Sequence, residues 1–294
     1  MRHVSLLAVC LAIGAATACT NPDPLIVTEN IPTAGVRFIN AVPDSAGSFG
    51  LDFRFVDIVE SNAQFRINFR NNPVTTAGVT ASSGIEYKNT RAGSRHFRIF
   101  LDDTLQSIAS VVVKDSTMTV VENHNYTVLL WGNARSTGAD KMRMTIIDET
   151  VADPGANVAL RVINTTGAAI DAREYAQGGT APAAATWSVP AYGVSSYVLD
   201  APGQKMFNIQ PAGGGATLFA DQLGLIGQAA FSSAGAAGKL DTEALPGTTV
   251  AGSAVTFIVF PKSTAGSKAP QTAAFLVPAG SFMWDRRPPR PAGT

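Results

Sequence analysis

Two histidines, His96 and His124, are the first candidates for chemistry, because nucleophilic catalysis needs a base within hydrogen-bond reach of a Ser, Thr or Cys. His96 alternates with Phe97 and Ile99 in "SRHFRIFL", so we expect its side chain to face away from theirs, toward solvent. His124 lies in "VENHNYTV", a turn between two expected strands. The chain has no G-x-S-x-G, H-E-x-x-H or P-loop motif. We therefore predict no catalytic residues, and a secreted hydrolase is the less favoured alternative.

Paired carboxylates are a second possible source of chemistry, since a glycoside hydrolase needs two of them at a set separation. Asp102 and Asp103 in "FLDDTL" lie between expected strands, where Asp commonly forms turns. The Asp-x-Asp-x-Asp-Gly calcium loop is missing, and neither histidine has Cys or His neighbours at zinc-ligand spacing. We expect no metal site and no cofactor, and we interpret the chain as a non-enzyme.

The stretch "TWSVPAYGVSSY" is the strongest sequence signal for binding. Trp187, Tyr192 and Tyr197 have large ring faces that suit a sugar ring or a protein partner. Packing in a β-sheet core would enrich the same residue types. Carbohydrate recognition through these three residues is therefore an alternative function, and core packing is the competing interpretation.

The N-terminus predicts export. "MRHVSLLAVCLAIGAATAC" places Arg2 and His3 before an apolar stretch that is too short to span a membrane, which is typical of a signal peptide over residues 1–18. The "ATAC" sequence at its end resembles the lipobox of bacterial lipoproteins, in which the Cys thiol is acylated. The only other cysteine, Cys10, lies in the segment that would be removed. We therefore predict lipidation of Cys19; ordinary cleavage after Ala18 is the alternative.

Lipidation would decide where the protein resides. Each buried acyl methylene contributes roughly 0.8 kcal/mol, so an acylated Cys19 would hold the chain at a membrane without a spanning helix. Thr20, where some lipoproteins carry Asp, resembles the sequence of lipoproteins sent to an outer membrane. We expect a bacterial cell-envelope location in the outer membrane. The expected partners are the membrane, through the anchor, and an envelope glycan or protein.

The composition narrows the function classes further. The chain has 22 basic and 22 acidic residues, and a balanced charge argues against nucleic-acid binding, which needs a basic face to displace counterions. Only 15% of residues are charged, and there are 27 glycines and 17 prolines. This composition indicates a turn-rich chain that is apolar enough to build a core.

Alternation with period two dominates the chain after the N-terminal segment. In "QFRINFR", Phe65, Ile67 and Phe69 would point to one side and the polar residues to the other, as in a strand with one solvated face. Comparable runs follow, separated by turn sequences such as "NNP", "AGS" and "STGAD". The pattern predicts an all-β fold of antiparallel sandwiches.

The same sequence pattern occurs in both halves of the chain. "GVRFINAVPD" from Gly35 has a counterpart in "ALRVINTTGA" from Ala159, and "YTVLLWGNA" aligns with "VTFIVFPKS". Arg37 thus matches Arg161 and Asn40 matches Asn164, and Tyr87 likewise has a counterpart in Tyr197. Residues repeated in both halves suit a requirement of the fold better than a unique ligand site. We expect each Asn to bond to backbone at the following turn.

These observations predict two tandem antiparallel immunoglobulin-like β-sandwich domains. The first would span residues 35–150 and the second residues 155–281. Residues 19–34, with three prolines, would form a tether. Residues 282–294, with three arginines and three prolines, would form an extended tail.

The motif "VRFINAVPDSAG", followed by an alternating strand and a later Tyr and Ala-Gly, resembles a bacterial family of unknown function, domain-of-unknown-function family 4397. The match covers Val36 to Asp44 and Tyr87 to Leu101, and in part the second half at "RVINTTG". The resemblance implies tandem β-sandwich domains at the cell surface and no catalytic residues. Our leading hypothesis is a non-enzymatic, lipid-anchored adhesion, scaffold or binding module.

Overall fold

The alternating runs of the sequence become strands in the structure. The computed structural model describes residues 31–44, 51–57, 87–101, 105–230 and 243–289. The signal peptide, Cys19, most of the tether, the run "QFRINFR" and both Asp102 and Asp103 lie outside the described residues.

The first half of the chain builds two sheets, with strand orders β3-β1-β6-β7 and β2-β4-β5. A short helix, α1, precedes β5. The elements are β1 (Thr33–Ala41), β2 (Leu51–Phe55), β3 (Lys88–Arg91), β4 (Gly93–Leu101), α1 (Gln106–Ala109), β5 (Val112–Val120), β6 (Asn125–Trp131) and β7 (Arg143–Asp148).

The second half builds two more sheets, with orders β11-β8-β15-β16 and β10-β9-β13-β14, and β12 also pairs with β8. A 3₁₀ turn at Ala273–Phe275 precedes the last strand. The strands are β8 (Val158–Asn164), β9 (Ile170–Ala176), β10 (Trp187–Val189), β11 (Gly193–Val194), β12 (Val198–Asp200), β13 (Lys205–Pro211), β14 (Phe219–Leu223), β15 (Ala254–Phe260) and β16 (Ala279–Arg286).

The all-β fold class is confirmed, with one refinement of the pairing. Neighbouring strands pair antiparallel, except that β1 runs parallel to β6 and β8 runs parallel to β15. Alternation with period two shows which residues of a strand share a face, but it does not show whether the neighbouring strand runs parallel or antiparallel. The sequence therefore did not indicate these two parallel pairs. In these ladders Arg37 lies opposite Thr127, and Arg161 lies opposite Thr256.

Each half has its own apolar core between its two sheets. Phe38, Phe53 and Phe97 stack in the first core. In the second core, Phe207 packs against Phe257. Alternate residues of each strand supply these contacts, as the period-two pattern predicted.

A third apolar cluster lies between the two halves, and we call it the seam. It joins residues of the β1-β6 sheet to residues of the β8-β15 sheet. Its buried members are Ile39, Ala41, Leu129, Trp131, Ile163, Ile258, Phe260, Ala279 and Met283. Strands β1, β6, β8 and β15 are therefore buried on both faces, as parallel strands commonly are. The two predicted domains are halves of one compact unit, Thr33–Thr294.

The predicted turn role of the repeated Asn is confirmed in both halves. The backbone N–H of Val42 donates to Oδ1 of Asn40 at 3.0 Å, and the N–H of Thr166 donates to Oδ1 of Asn164, also at 3.0 Å. A side-chain acceptor two residues upstream is the Asx-turn geometry that ends a strand cleanly.

The predicted boundary of the C-terminal tail was wrong. Strand β16 continues to Arg286, and Asp285 is only 1% exposed. The alternation of buried and half-buried side chains in "AGSFMWDR" continues through Arg286, and the prolines that follow end strand pairing. Residues 282–286 therefore belong to the second half and not to a solvated tail.

No helix in the described part of the chain has both the length and the apolar character needed to cross a membrane.

Truncation of Phe207 should reveal how much the second core contributes. Phe207 is 1% exposed and contacts the rings of Trp187, Phe257 and Phe282. Phe207→Ala leaves a cavity and should lower the free energy of unfolding by about 3–5 kcal/mol, measured by urea denaturation. Leu199→Ala, at a side chain 59% exposed, is the matched control and should change it by less than ~0.5 kcal/mol. Equal losses in the two variants would contradict this account of the core.

Candidate functional site

Arg37 extends from β1 into the seam and is 1% exposed. Its Nε donates to Oγ1 of Thr127 at 2.7 Å, and its Nη1 donates to the carbonyl oxygen of Trp284 at 2.8 Å. Its Nη2 donates to Oδ1 of Asp285 at 2.5 Å and to Oε1 of Glu149 at 3.3 Å. One guanidinium thus contacts both halves of the chain.

Arg161 of β8 makes the matching threonine contact and the reciprocal ion pair. Its Nε donates to Oγ1 of Thr256 at 2.7 Å, and its Nη2 donates to Oε2 of Glu149. Oδ1 of Asp285 lies farther from that Nη2, at 3.6 Å. Each arginine therefore bonds to a threonine of its own half and makes its shortest ion pair with a carboxylate of the other half.

We call these six residues the charge cluster. The first half contributes one arginine, one threonine and one glutamate, and the second half contributes one arginine, one threonine and one aspartate. The members are Arg37, Thr127, Glu149, Arg161, Thr256 and Asp285. Two positive and two negative charges make the cluster neutral overall.

The arginines of the charge cluster face the seam because side chains alternate along a strand. Val36 and Phe38 point into the first core, so Arg37 between them must point to the opposite face of β1. Leu160 and Val162 do the same for Arg161 in the second half. The repeated apolar-Arg-apolar pattern therefore places each guanidinium between the halves.

Two tyrosines cover the guanidinium groups. The Arg37 guanidinium carbon lies 4.4 Å from the centre of the Tyr87 ring, and that of Arg161 lies 4.6 Å from the centre of the Tyr197 ring. The Tyr197 hydroxyl donates to Oδ2 of Asp285 at 2.8 Å. These cation–π contacts are of the kind that gain strength when the cation is removed from water.

Burial dominates the electrostatics of the cluster. Removal from water raises the pKa of Glu149, and neighbouring Asp285 raises it further, while the two arginines oppose this shift. Burial by itself would lower the pKa of Arg37 and Arg161, but the surrounding acidic groups more than compensate and raise both. Both arginines stay charged, so the carboxylates are needed to neutralise them.

The predicted aromatic platform is not present in the structure. Trp187 is 6% exposed, stacks on Phe207 and donates its indole N–H to the carbonyl oxygen of Ser196 at 3.1 Å. Tyr197 belongs with the charge cluster. Tyr192 contacts Trp131 across the seam. The three rings therefore do not form one surface: Trp187 packs in the second core, Tyr192 contacts the seam and Tyr197 contacts the charge cluster.

The histidines do not form a catalytic relay. His96 Nε2 lies 2.5 Å from Oδ1 of Asp115 on the adjacent strand. His124 Nδ1 lies 2.8 Å from Oδ2 of Asp148 and 2.9 Å from Oγ1 of Thr150. A Ser-His-Asp type relay needs the acid and the nucleophile on opposite ring nitrogens, whereas at His124 the carboxylate and the hydroxyl both contact Nδ1.

Across the described ranges, no group of three or more His, Cys, Asp or Glu residues is arranged to hold a metal ion.

The repeat in the sequence indicates the two arginines but not their carboxylate partners. Glu149 directly follows the edge strand β7, and Asp285 is the penultimate residue of the edge strand β16. The available signal was a polar residue within an otherwise apolar strand: Thr127 in "YTVLLW" and Thr256 in "VTFIVF" occupy matching positions.

The fold and site define an all-β protein made of two paired sandwiches with a shared charged interface. Residues 34–173 match the family model described as "Domain of unknown function (DUF4397)", the family that the motif resemblance predicted. The matched region includes Arg37, Thr127, Glu149 and Arg161. It ends before the second-half threonine and aspartate of the cluster.

One solved structure is similar in part. It is described as "The Bacillus anthracis TIE protein", with 13% sequence identity and a TM-score of 0.19. The match covers 79% of this chain and 34% of that one, so the chain spans about a third of that protein's length. No curated protein matches the chain.

Removal of one cluster arginine should be strongly destabilising. Arg37→Met leaves Asp285 and Glu149 buried with too little positive charge, so we expect the free energy of unfolding to fall by about 3–5 kcal/mol in urea denaturation. The matched control is Arg54→Met, because Arg54 is paired with Asp52 but its side chain is 62% exposed. That variant should lose on the order of 1 kcal/mol or less. A loss at Arg37 no larger than at Arg54 would show that the cluster is not buried as described.

The tyrosines of the cluster should resist ionisation. Burial raises the pKa of Tyr87 and Tyr197, and for Tyr197 the nearby Asp285 raises it further. In an absorbance titration at alkaline pH, we expect fewer of the five tyrosines to ionise near pH 10 in the native protein than in denaturant.

The sign of the stability effect follows from these shifts. A phenol whose folded pKa lies above its unfolded value stabilises the folded state below about pH 10 and ceases to do so as the pH rises above that value. Stability should therefore fall with increasing pH above about 10. Tyr197→Phe should reduce this slope, and an unchanged slope would exclude Tyr197 as its source.

Proposed function

We propose that the protein is a non-enzymatic, lipid-anchored component of the bacterial cell envelope, exported to the outer membrane, where its paired sandwiches act as a scaffold or binding module. The charge cluster is the observation that supports this proposal. Its ion pairs join the two sandwiches, and a scaffold needs its parts to keep fixed positions relative to one another.

The contacts at the seam favour a fixed relation over independent domains. Linked domains usually meet through small polar surfaces and move relative to one another. Here the seam combines a continuous apolar cluster with reciprocal ion pairs that lose their partners if the halves separate. Separation would expose both, so the closed arrangement is strongly preferred.

The N-terminal sequence supports the anchoring part of the proposal. "ATAC" ends an export-type segment at Cys19, and the Pro-containing stretch that follows leads into β1 at Thr33. A short tether of this kind would connect a lipid at the membrane to the folded unit.

Glycan recognition through Trp187, Tyr192 and Tyr197 is not retained as a second function. Stacking on a sugar needs accessible ring faces, and the Trp187 ring packs in the core while the Tyr197 ring covers Arg161. A protein or glycan partner would have to bind elsewhere on the molecule.

The anchor is tested by intact mass spectrometry of the protein from membranes of its native host. We expect a mature N-terminus at Cys19 with added acyl mass, and we expect Cys19→Ala to leave the membrane fraction. Cys10→Ala is the matched control, because Cys10 lies in the segment that is removed, and it should not change the mature mass. An unmodified mature chain would overturn the anchoring proposal.

A further inference from the structure

Strand pairing does not connect the two halves. Among the described strands, β1–β7 pair with one another and β8–β16 pair with one another, and no sheet contains strands from both sets. Besides the seam and the charge cluster, contacts between the halves include a backbone bond from the Thr264 N–H to the Pro43 carbonyl oxygen, 2.9 Å long. Ring contacts of Tyr87 with Trp284 and of Arg143 with Tyr192 also cross between them. The halves can therefore separate without loss of a sheet ladder.

The contacts across the seam are reciprocal. Arg37 of the first half pairs with Asp285 of the second, and Arg161 of the second half pairs with Glu149 of the first. Such an exchange of like contacts is what a two-fold interface between separate subunits shows. Each half presents one arginine, one carboxylate and an apolar face, so the complement of a half need not come from the same chain.

The connection between the halves is short and lies outside the sheets. Residues 150–157 form no strand. A turn at Gly155, with φ of 63°, and a bond from the Gly155 N–H to Oδ1 of Asp153 shape the segment, and Asp153 also pairs with Arg286 of β16 at 3.0 Å. An extended conformation of this segment would let each half pair with the complementary half of another chain. Short hinge segments favour such domain exchange.

We propose that a second copy of this chain is a binding partner, and that two copies associate by exchanging halves across the seam. In the exchanged dimer, Arg37 of one copy pairs with Asp285 of the other, and Glu149 of one copy pairs with Arg161 of the other. Each charge cluster is then completed by the other copy. This goes beyond the scaffold function and does not depend on the lipid anchor.

Two charge-reversed chains test the exchange. Asp285→Lys places a lysine opposite Arg37, and Arg37→Glu places a glutamate opposite Asp285, so each variant has one repulsive pair when its own halves meet. If the two variants exchange halves, one seam of the mixed dimer has the native charges. The other pairs Glu at position 37 with Lys at position 285. Both seams are then complementary.

We expect the mixture of the two full-length variants to give a heterodimer with the summed mass of both chains in native mass spectrometry. Neither variant alone should give that dimer. Arg98→Glu mixed with Asp115→Lys is the matched control, because this pair, 2.8 Å apart, lies within the first half and cannot be repaired by exchange. Dimer formation in the control as well would show that charge reversal alone causes association and would overturn the proposal.

If the charge-reversed chains do not fold, wild-type protein provides the test. Light and isotopically heavy wild-type chains are unfolded together and refolded at high concentration, and the mass of the dimer fraction is measured. A mixed light–heavy dimer that forms after joint unfolding, but not when folded light and folded heavy chains are mixed, supports exchange of halves. A dimer that forms equally well from folded chains overturns it. Folded monomer alone, in this experiment or in the mixture of folded reversed variants, overturns the proposal.

Discussion

The pairing of each buried arginine with a carboxylate of the opposite half is the interaction on which the rest of the structure depends. A guanidinium in the interior is tolerated only when its charge and its N–H groups are matched. Arg37 and Arg161 make their shortest ion pairs only while the halves are in contact, because those carboxylates, Asp285 and Glu149 respectively, come from the opposite half. The packing of two separate cores into one unit therefore follows from electrostatics as well as from apolar contact.

This requirement also fixes the strand register. A shift of one residue would turn Arg37 into the first core and bring Val36 or Phe38 to the seam. The threonine on the neighbouring parallel strand accepts from the arginine Nε in both halves, which ties the register of β1 to β6 and of β8 to β15. Polar residues on strands buried on both faces thus specify one arrangement among many that are equally apolar.

In this protein, the polar residues within otherwise apolar strands serve the fold. The polar residues that the repeat singles out serve the contact between the halves. With the proposed lipid anchor, two sandwiches joined in this way would space or present surfaces at the envelope. The proposed exchange of halves would add a route by which copies of the same chain associate.

The sequence by itself determined the all-β class, the two-part plan and the turn role of Asn40 and Asn164, because these depend on local alternation and turn chemistry. It also indicated that Arg37 and Arg161 serve the fold. Only the tertiary structure decided the parallel pairs, the burial of Trp187 and the continuation of β16 through Asp285. These depend on which strands become neighbours and on what covers each face, and local alternation contains no information about contacts between residues more than a hundred positions apart.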